Sequence, residues 1–180
     1  MMVGENAGEV ETVSADGKGR VVALDLDGDG DVDRTDVMAI SGTGATTSVQ
    51  TVKNGDGSVR SVTTVVQSAD ALVKTASADA DGDGDVDLVT VDATVIAGDG
   101  SRVRTVTATN TDGSVRSMVK ETLGADKVAA ETWVDQNQDG VLQATDLVKS
   151  VTVAAGTGAR TETVWVRNAD GSVRAKSIAV

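Results

Sequence analysis

Asp25-Leu-Asp-Gly-Asp-Gly-Asp-Val-Asp-Arg-Thr-Asp36 is the most informative stretch of this sequence. It places carboxylates at positions 1, 3, 5, 7, 9 and 12 of a twelve-residue window, with Gly30 at position 6. Alternate side chains can then point to one centre, while the glycine permits the sharp turn that wraps a backbone around a large cation with oxygen ligands. The spacing predicts a calcium-binding loop.

The same spacing recurs twice. Asp79-Ala-Asp-Gly-Asp-Gly-Asp-Val-Asp87 repeats it closely, and Asp135-Gln-Asn-Gln-Asp-Gly-Val-Leu-Gln-Ala-Thr-Asp146 repeats it more loosely. We number these windows loop one (25–36), loop two (79–90) and loop three (135–146), and expect up to three Ca²⁺ ions, one per loop. The predicted ligands are Asp25, Asp27, Asp29, Asp31 (through its backbone carbonyl), Asp33, Asp36, Asp79, Asp81, Asp83, Asp85, Asp87, Asp135, Asn137, Asp139, Val141 and Asp146.

The loops differ at the positions that close the site. Loop one ends on Asp36, which is shorter than the bidentate glutamate usual at position 12, so we expect weak binding, with Kd values of about 10⁻⁵ to 10⁻³ M. Loop two has Thr90 there, so either Asp87 or Asp92 would have to complete it. A polyanionic loop without a specific ion is the alternative for loop two. Magnesium is the alternative ion, but it gives up its water reluctantly.

The composition excludes several kinds of function. The chain has no Cys and no His, so it lacks thiolates, the commonest general base and the commonest transition-metal ligand. Every acidic cluster is also repeated, which argues against a single pair of catalytic carboxylates. The net charge of −12 has the wrong sign for phosphate contacts, and no apolar run is long enough to span a bilayer. We predict no catalysis, no nucleic-acid binding and no membrane insertion.

Half of the 28 acidic residues lie in the three loops. Without a cation these clusters repel themselves and oppose compaction. An acidic run is more often a solvated or disordered face, but such a face does not explain strict alternation with glycine at position 6.

A longer repeat surrounds the loops. Asp-Gly-Ser-Val-Arg occurs at 56–60, 112–116 and 170–174, each time beginning 14 residues after the first glycine of a Gly-x-Gly turn. The interval from calcium loop to Gly-x-Gly turn varies in steps of two, from 17 to 19 to 21 residues. A change of two residues preserves the face to which each strand side chain points, whereas a helix would tolerate changes of three or four. The intervening segments are therefore predicted to be strands.

The predicted fold class is all-β, an antiparallel meander of tandem hairpins that forms an extended spiral sheet or a barrel of about a dozen strands. Propeller blades have a similar strand number, but these copies would not close a propeller alone. Because turns alternate between the two ends of a meander, the calcium loops and the Asp-Gly-Ser-Val-Arg turns share one edge. Together the copies form one array, with a partial repeat at 1–24, repeats at 25–78 and 79–134, and an incomplete third repeat at 135–180.

The same topology places one arginine of each repeat beside an acidic loop. Arg60, Arg116 and Arg174 either pair with the carboxylates there or are ordinary exposed residues at strand ends. The sequence does not choose between these two interpretations.

These motifs carry two resemblances to known families. The segment 25–40 resembles the EF-hand-like calcium loop of a dockerin and the start of its helix. Nearly the whole chain, with its Ser-Ala-Asp-Gly, Asp-x-Asp-Gly-Asp-Gly and Asp-Gly-Ser elements, is similar to the Asp/Gly/Thr-rich tandem calcium-binding repeats of large secreted bacterial proteins of the RTX-associated or adhesin kind. That resemblance implies type I export with an uncleaved C-terminal signal, which fits the absence of signal-peptide features at 1–6. The nonapeptide of RTX β-rolls is absent, so a parallel β-roll is not expected.

We therefore expect a calcium-stabilised structural module of a secreted or cell-surface bacterial protein. Its expected partners are calcium and neighbouring repeats or further copies of the chain. The alternative is a dockerin-like or lectin-like module that binds a protein or a glycan. A helix around Thr35–Ile40 would favour the dockerin-like alternative.

Overall fold

A computed structural model describes residues 3–6, 8–168 and 170–180. These residues form fourteen strands and one turn of 3-10 helix, Ala144–Asp146, which precedes β12. The strands are β1 (Val3–Asn6), β2 (Glu9–Val13), β3 (Gly19–Leu24), β4 (Arg34–Ile40), β5 (Thr46–Lys53), β6 (Val59–Gln67), β7 (Val73–Asp79), β8 (Leu88–Ile96), β9 (Arg102–Asn110), β10 (Val115–Leu123), β11 (Ala130–Val134), β12 (Leu147–Val153), β13 (Arg160–Arg167) and β14 (Val173–Ala179).

The strand order of the sheet is the order of the chain, from β1 to β14. The predicted all-β meander of antiparallel hairpins is thus confirmed, with fourteen strands where about a dozen were expected. The order ends at β1 and β14, which do not pair with each other, so the barrel alternative is wrong. Each strand between β1 and β14 pairs with the strand before it and the strand after it, and among the described residues no strand later than β2 pairs with β1.

The chain divides into two units, residues 1–90 and 91–180, and the division falls inside β8. The first unit contains loops one and two, and the second contains loop three. In the first unit, Val22 of β3 lies opposite Asp36 of β4, which lies opposite Gln50 of β5.

Few apolar side chains are buried in either unit. Among the residues whose burial is described, only Val22 in the first unit and Val151 in the second are buried hydrophobics, with 6% and 5% of their surface exposed. Most other strand residues are half-buried on both faces, as the imperfect alternation of Val and Thr predicted. The sheet therefore depends on backbone pairing and partial burial more than on a closed core.

The three hairpins that are closed by the Asp-Gly-Ser-Val-Arg segments share one irregularity. The register shifts by one residue just after each turn, and the residue without a partner is Arg60 in β6, Arg116 in β10 and Arg174 in β14. A β-bulge of this kind bends a strand and interrupts its pairing. The repeated arginine therefore marks a repeated backbone feature.

The helix that would favour the dockerin-like alternative is not formed. Residues Arg34–Ile40 are strand β4, in which Val37 lies opposite Val21 of β3 and Val49 of β5. Pairing on both sides satisfies the backbone of this segment, so tertiary context overrides the helical exit that calcium loops of the dockerin type have. No helix in the described part of the chain is long and apolar enough to cross a membrane.

Candidate metal centre

In loop one the first aspartate organises the backbone of the turn. Asp25 Oδ1 accepts the N–H of Gly28 at 2.7 Å, and Oδ2 accepts the N–H of Gly30 at 3.0 Å. Both glycines have positive φ, 82° and 97° respectively, a conformation that residues with a Cβ adopt at a cost. The glycines at positions 4 and 6 thus let the chain curl around the carboxylate at position 1.

Three carboxylates of loop one come together. Oxygens of Asp25, Asp27 and Asp29 lie within 4.8 Å of one another. The base of the loop is closed by Asp33, whose Oδ2 accepts the N–H of Leu26 at 2.6 Å. Oxygen donors at this separation suit one divalent cation of the calcium type.

The rim of loop one faces the neighbouring hairpin turn. Asp29, Asp31 and Asp33 line a cleft of about 230 Å³ whose other wall is the turn at 54–57. The N–H of Lys53, which begins that turn, donates to the carbonyl of Asp33 at 2.7 Å. The acidic loop and the Asp-Gly-Ser-Val-Arg turn therefore share one edge, as the topology predicted.

Asp36, the predicted ligand at position 12, has other partners. Arg34 donates to both of its carboxylate oxygens, at 3.0 and 2.7 Å, and Gln50 donates to Oδ1 at 3.1 Å. The hydrogen bonds from Arg34 hold the pKa of Asp36 below its ordinary value. Because a strand follows the loop, Asp36 joins a cross-strand row and is not one of the clustered carboxylates of loop one.

Loop two repeats the cage of loop one with a more buried first residue. Asp79 has 7% of its surface exposed, and its two oxygens accept the N–H groups of Gly82 at 2.6 Å and Gly84 at 3.0 Å. Oxygens of Asp79, Asp81 and Asp87 lie within 4.8 Å of one another. The clustered carboxylates are therefore at positions 1, 3 and 9.

Position 12 of loop two is Thr90, which has no carboxylate, so Asp87 or Asp92 was expected to complete the ligand set. The structure brings one of them, Asp87, into the cluster. The other, Asp92, lies in β8 and receives hydrogen bonds from Arg104 Nε and Nη2 at 2.9 and 2.8 Å. Thr90 is itself a residue of β8.

Three predicted ligands of loops one and two remain exposed outside the clusters: Asp31, Asp83 and Asp85. Asp31 and Asp85 both occupy position 7, and Asp29 Oδ1 accepts the N–H of Asp31 at 2.8 Å just as Asp83 Oδ1 accepts that of Asp85 at 2.8 Å. These bonds shape the turns, and they leave the side chains of Asp31 and Asp85 at the surface. Asp83 is at position 5, where its counterpart in loop one, Asp29, belongs to the cluster.

Loop three has the most buried acids of the three loops. Asp135 and Asp146, at positions 1 and 12, each have 4% of their surface exposed. Asp135 Oδ2 accepts the N–H of Gly140 at 2.9 Å, which repeats the position 6 bond of the other loops. Asp135 Oδ1 is buried and has no hydrogen-bond partner. A buried carboxylate oxygen without a partner is costly, and this is the position where a cation would satisfy it.

The remaining predicted ligands of loop three form a hydrogen-bonded turn. Asp139 Oδ1 accepts the N–H of Val141 at 2.8 Å, and its Oδ2 accepts the side-chain amides of Asn137 at 2.9 Å and Gln143 at 3.1 Å. Asp146 Oδ2 accepts the N–H of Gln143 at 2.7 Å within the single 3-10 turn. Loop three therefore has a helical exit, although this exit is one turn long.

Acids dominate the small buried set of this protein. Among the residues whose burial is described, five are buried, and three of these are loop aspartates: Asp79, Asp135 and Asp146. The other two are Val22 and Val151. Carboxylates are rarely buried unless they are paired or bind a metal.

The repeated arginines do not neutralise these carboxylates. Arg60, Arg116 and Arg174 are exposed, and none of them is in an ion pair between described residues. Of the two interpretations of these residues, the structure favours exposed strand-end arginines over partners of the acidic loops.

The aspartates of the other turns are held by hydrogen bonds. A serine hydroxyl donates to each of Asp56, Asp112 and Asp170 at 2.6 Å, from Ser58, Ser114 and Ser172. These bonds lower the pKa of the three aspartates. The turns thus keep their carboxylates ionised without a metal.

Sequence reasoning missed the burial of loop three, which it ranked as the loop poorest in charge. Loop three is in close contact with segments that are distant in the sequence. A Cβ on Gly140 would approach Val115 Cγ2 to 3.0 Å, and a Cβ on Gly171 would approach Thr145 Cβ to 2.7 Å. No local sequence pattern predicts this packing, because the contacting residues are 25 or more positions apart in the sequence.

No family model and no curated protein matches this chain. The chemistry of the loops themselves therefore carries the inference of function.

Proposed function

We propose that this chain is a calcium-binding structural module in which the ions stabilise the sheet. The observation that carries the proposal is Asp135 Oδ1, a buried carboxylate oxygen with no partner inside a loop with calcium-ligand spacing. The clusters of loops one and two support it, because each brings three carboxylates within 4.8 Å. The ligands we propose are Asp25, Asp27 and Asp29 in loop one, Asp79, Asp81 and Asp87 in loop two, and Asp135 in loop three.

The donor chemistry favours calcium. The chain has no Cys or His, so the side-chain atoms of the loops that can bind a metal are carboxylate and amide oxygens. Calcium accepts six to eight oxygens in flexible geometry, whereas magnesium demands a near-ideal octahedron and keeps several waters. Loops built from carboxylates and backbone carbonyls on hairpin turns match the first preference.

Ion binding would supply folding free energy. The net charge is −12, and only two hydrophobic side chains are buried among the residues described. Without the ion, charge repulsion would therefore destabilise the folded state, and the small core would offset little of it. A cation that binds only the folded loops stabilises them by mass action, by about 2.7 kcal/mol per site when its concentration is 100 times Kd.

We place the module in a secreted or cell-surface protein of bacterial type, where calcium is plentiful enough to fill weak sites. Type I export remains an expectation that rests on the resemblance of the repeats. The partners proposed are neighbouring repeats or further copies of the chain, and no catalytic role is proposed.

Circular dichroism and calorimetry test the proposal. We expect EDTA to cause gross loss of β-structure or a large fall in Tm, with recovery in excess calcium and little recovery in equimolar magnesium. Titration calorimetry should detect up to three ions, fewer when Asp29→Ala, Asp81→Ala or Asp135→Asn removes a proposed ligand. Identical spectra and melting temperatures in EDTA and calcium would refute the proposal.

A further inference from the structure

We propose that loop three fills with calcium before loops one and two, although it carries the fewest charges. This inference rests on the proposed function and concerns the order in which its sites are occupied. A count of carboxylates alone gives the opposite order, with loop one first, because loop one has six acids and loop three has three.

The first argument is the hydrogen bonding of the first aspartate in each loop. Asp25 and Asp79 each have both oxygens engaged by glycine N–H groups. Asp135 has only one engaged oxygen: position 4 of loop three is Gln138, whose φ is also positive at 59°, but the bond that Gly28 and Gly82 make from this position is not formed. Its Oδ1 is left without a donor. A cation there removes an unsatisfied buried acceptor, and no equivalent gain exists in the other loops.

The second argument is that the carboxylate points into the loop. Asp135 Oδ2 accepts the N–H of Gly140 at 2.9 Å, across the turn, so the carboxylate is turned toward the backbone of its own loop. The residue has 4% of its surface exposed, and the charge is poorly solvated until an ion arrives. Asp25, by contrast, is half-buried, and its neighbours Asp27 and Asp29 are exposed to solvent. Water therefore solvates the empty cluster of loop one better than it solvates Asp135.

The third argument is preorganisation. Asp139 accepts three hydrogen bonds, from Asn137, Val141 and Gln143, whereas Asp29 at the same position of loop one accepts one, from the N–H of Asp31. Fewer like charges oppose this arrangement in the empty state than in loop one. Binding therefore costs less ordering in loop three.

Three matched reporters can measure the order in the unmodified protein. The amides of Gly30, Gly84 and Gly140 each donate to the first aspartate of their own loop. We titrate calcium into ¹⁵N-labelled protein below one equivalent and follow these peaks in ¹H–¹⁵N correlation spectra. The Gly140 peak should complete its change first, with an affinity at least about tenfold higher than the others, which is about 1.4 kcal/mol.

Matched substitutions give a second measurement. Asp135→Asn should abolish the tightest calorimetric step, whereas Asp25→Asn and Asp79→Asn should leave that step unchanged and weaken later ones. Trp133 lies two residues before Asp135, and the loops of the first unit have no tryptophan. Tryptophan-sensitised terbium emission should therefore rise with the first equivalent of terbium in the unmodified protein.

The two proposals fail in different ways. If no glycine amide shifts and no heat is released, calcium binding itself is wrong. If the Gly30 or Gly84 peak changes before or together with Gly140, the chain binds calcium but the proposed order is wrong. A fold lost in Asp135→Asn does not affect the titration of the unmodified chain, which decides the order by itself.

Discussion

The N–H of Gly140 donates to Asp135 Oδ2 at 2.9 Å, while Oδ1 of the same buried carboxylate has no partner. The equivalent pairs in the other loops, Gly30 with Asp25 and Gly84 with Asp79, occur with both carboxylate oxygens engaged. The first aspartate thus has hydrogen bonds to both carboxylate oxygens in loops one and two, but to only one of them in loop three. The difference has a measurable consequence for stability.

The first prediction is that Asp135→Asn changes stability with opposite signs in EDTA and in calcium. Without calcium, the neutral amide removes a buried charge and still accepts from Gly140, so we expect stabilisation by about 1–3 kcal/mol. With calcium, the variant loses a charged ligand and should be less stable than the unmodified protein. Thermal and urea unfolding in both buffers measure the two signs. Destabilisation in both buffers would show that the Asp135 carboxylate stabilises the fold without a cation, and would contradict its role as a ligand.

The second prediction separates Asp36 from the clustered carboxylates that we propose as the calcium ligands of loop one. Its carboxylate is engaged by Arg34 and Gln50, so Asp36→Asn should leave the calcium affinity of loop one within about threefold, as expected for a screened charge outside the site. Asp29→Ala removes a clustered carboxylate and should weaken that affinity by about tenfold or more. Calorimetry on both variants makes the comparison. An equal loss of calcium affinity in the two variants would mean that Asp36 is a ligand, as its spacing in the sequence predicted.

The third prediction compares glycines at the same position of two loops. Gly28 and Gly82 have φ of 82° and 79°, but a Cβ meets nothing within 4 Å at Gly28 and lies 2.2 Å from the carbonyl oxygen of Val59 at Gly82. Gly28→Ala should cost about 1–2 kcal/mol from the backbone conformation alone. Gly82→Ala adds a backbone clash, so we expect at least about 3 kcal/mol. Urea unfolding measures both, and similar costs would mean that β6 does not pack against loop two as described.

The fourth prediction concerns pH and the serine turns. The hydroxyl of Ser114 lowers the pKa of Asp112, so Asp112 contributes stability above its unfolded pKa that is lost as pH falls through its folded pKa. Ser114→Ala should raise the pKa of Asp112 toward its ordinary value and weaken this acid-side dependence. Ser117→Ala, in the strand that follows the same turn, is the control. Carboxyl ¹³C titration by NMR reads the pKa directly, and an unchanged midpoint in Ser114→Ala would contradict the assigned cause.

Much of the fold was open to prediction because it is periodic. The constant 14-residue step to each Asp-Gly-Ser-Val-Arg segment and the two-residue increments before each Gly-x-Gly turn are properties of strands and short turns. They correctly placed acidic loops and serine turns on one edge. The glycine at position 6 of each loop was likewise predicted to permit a sharp turn, and Gly30, Gly84 and Gly140 all have positive φ, which glycine adopts freely.

The site was predicted less completely. Spacing selected Asp25, Asp27 and Asp29, which do cluster, but it also selected Asp36, which pairs with Arg34 and Gln50. Position 12 of a calcium loop returns to the ion when a helix follows. Here Arg34–Ile40 has strand neighbours on both sides, and pairing with them carries Asp36 into the sheet.

The sequence by itself determined the repeat, the turns and the alternating carboxylates, because each depends on residues within about a dozen positions of one another. Tertiary structure alone decided which acids are buried and which oxygens have partners. Loop three packs through Gly140 against Val115 of β10 and through Thr145 against Gly171, and the desolvation of an acid is set by whatever surrounds it in space. The loop with the fewest charges is for that reason the one with the most buried, and least satisfied, carboxylate.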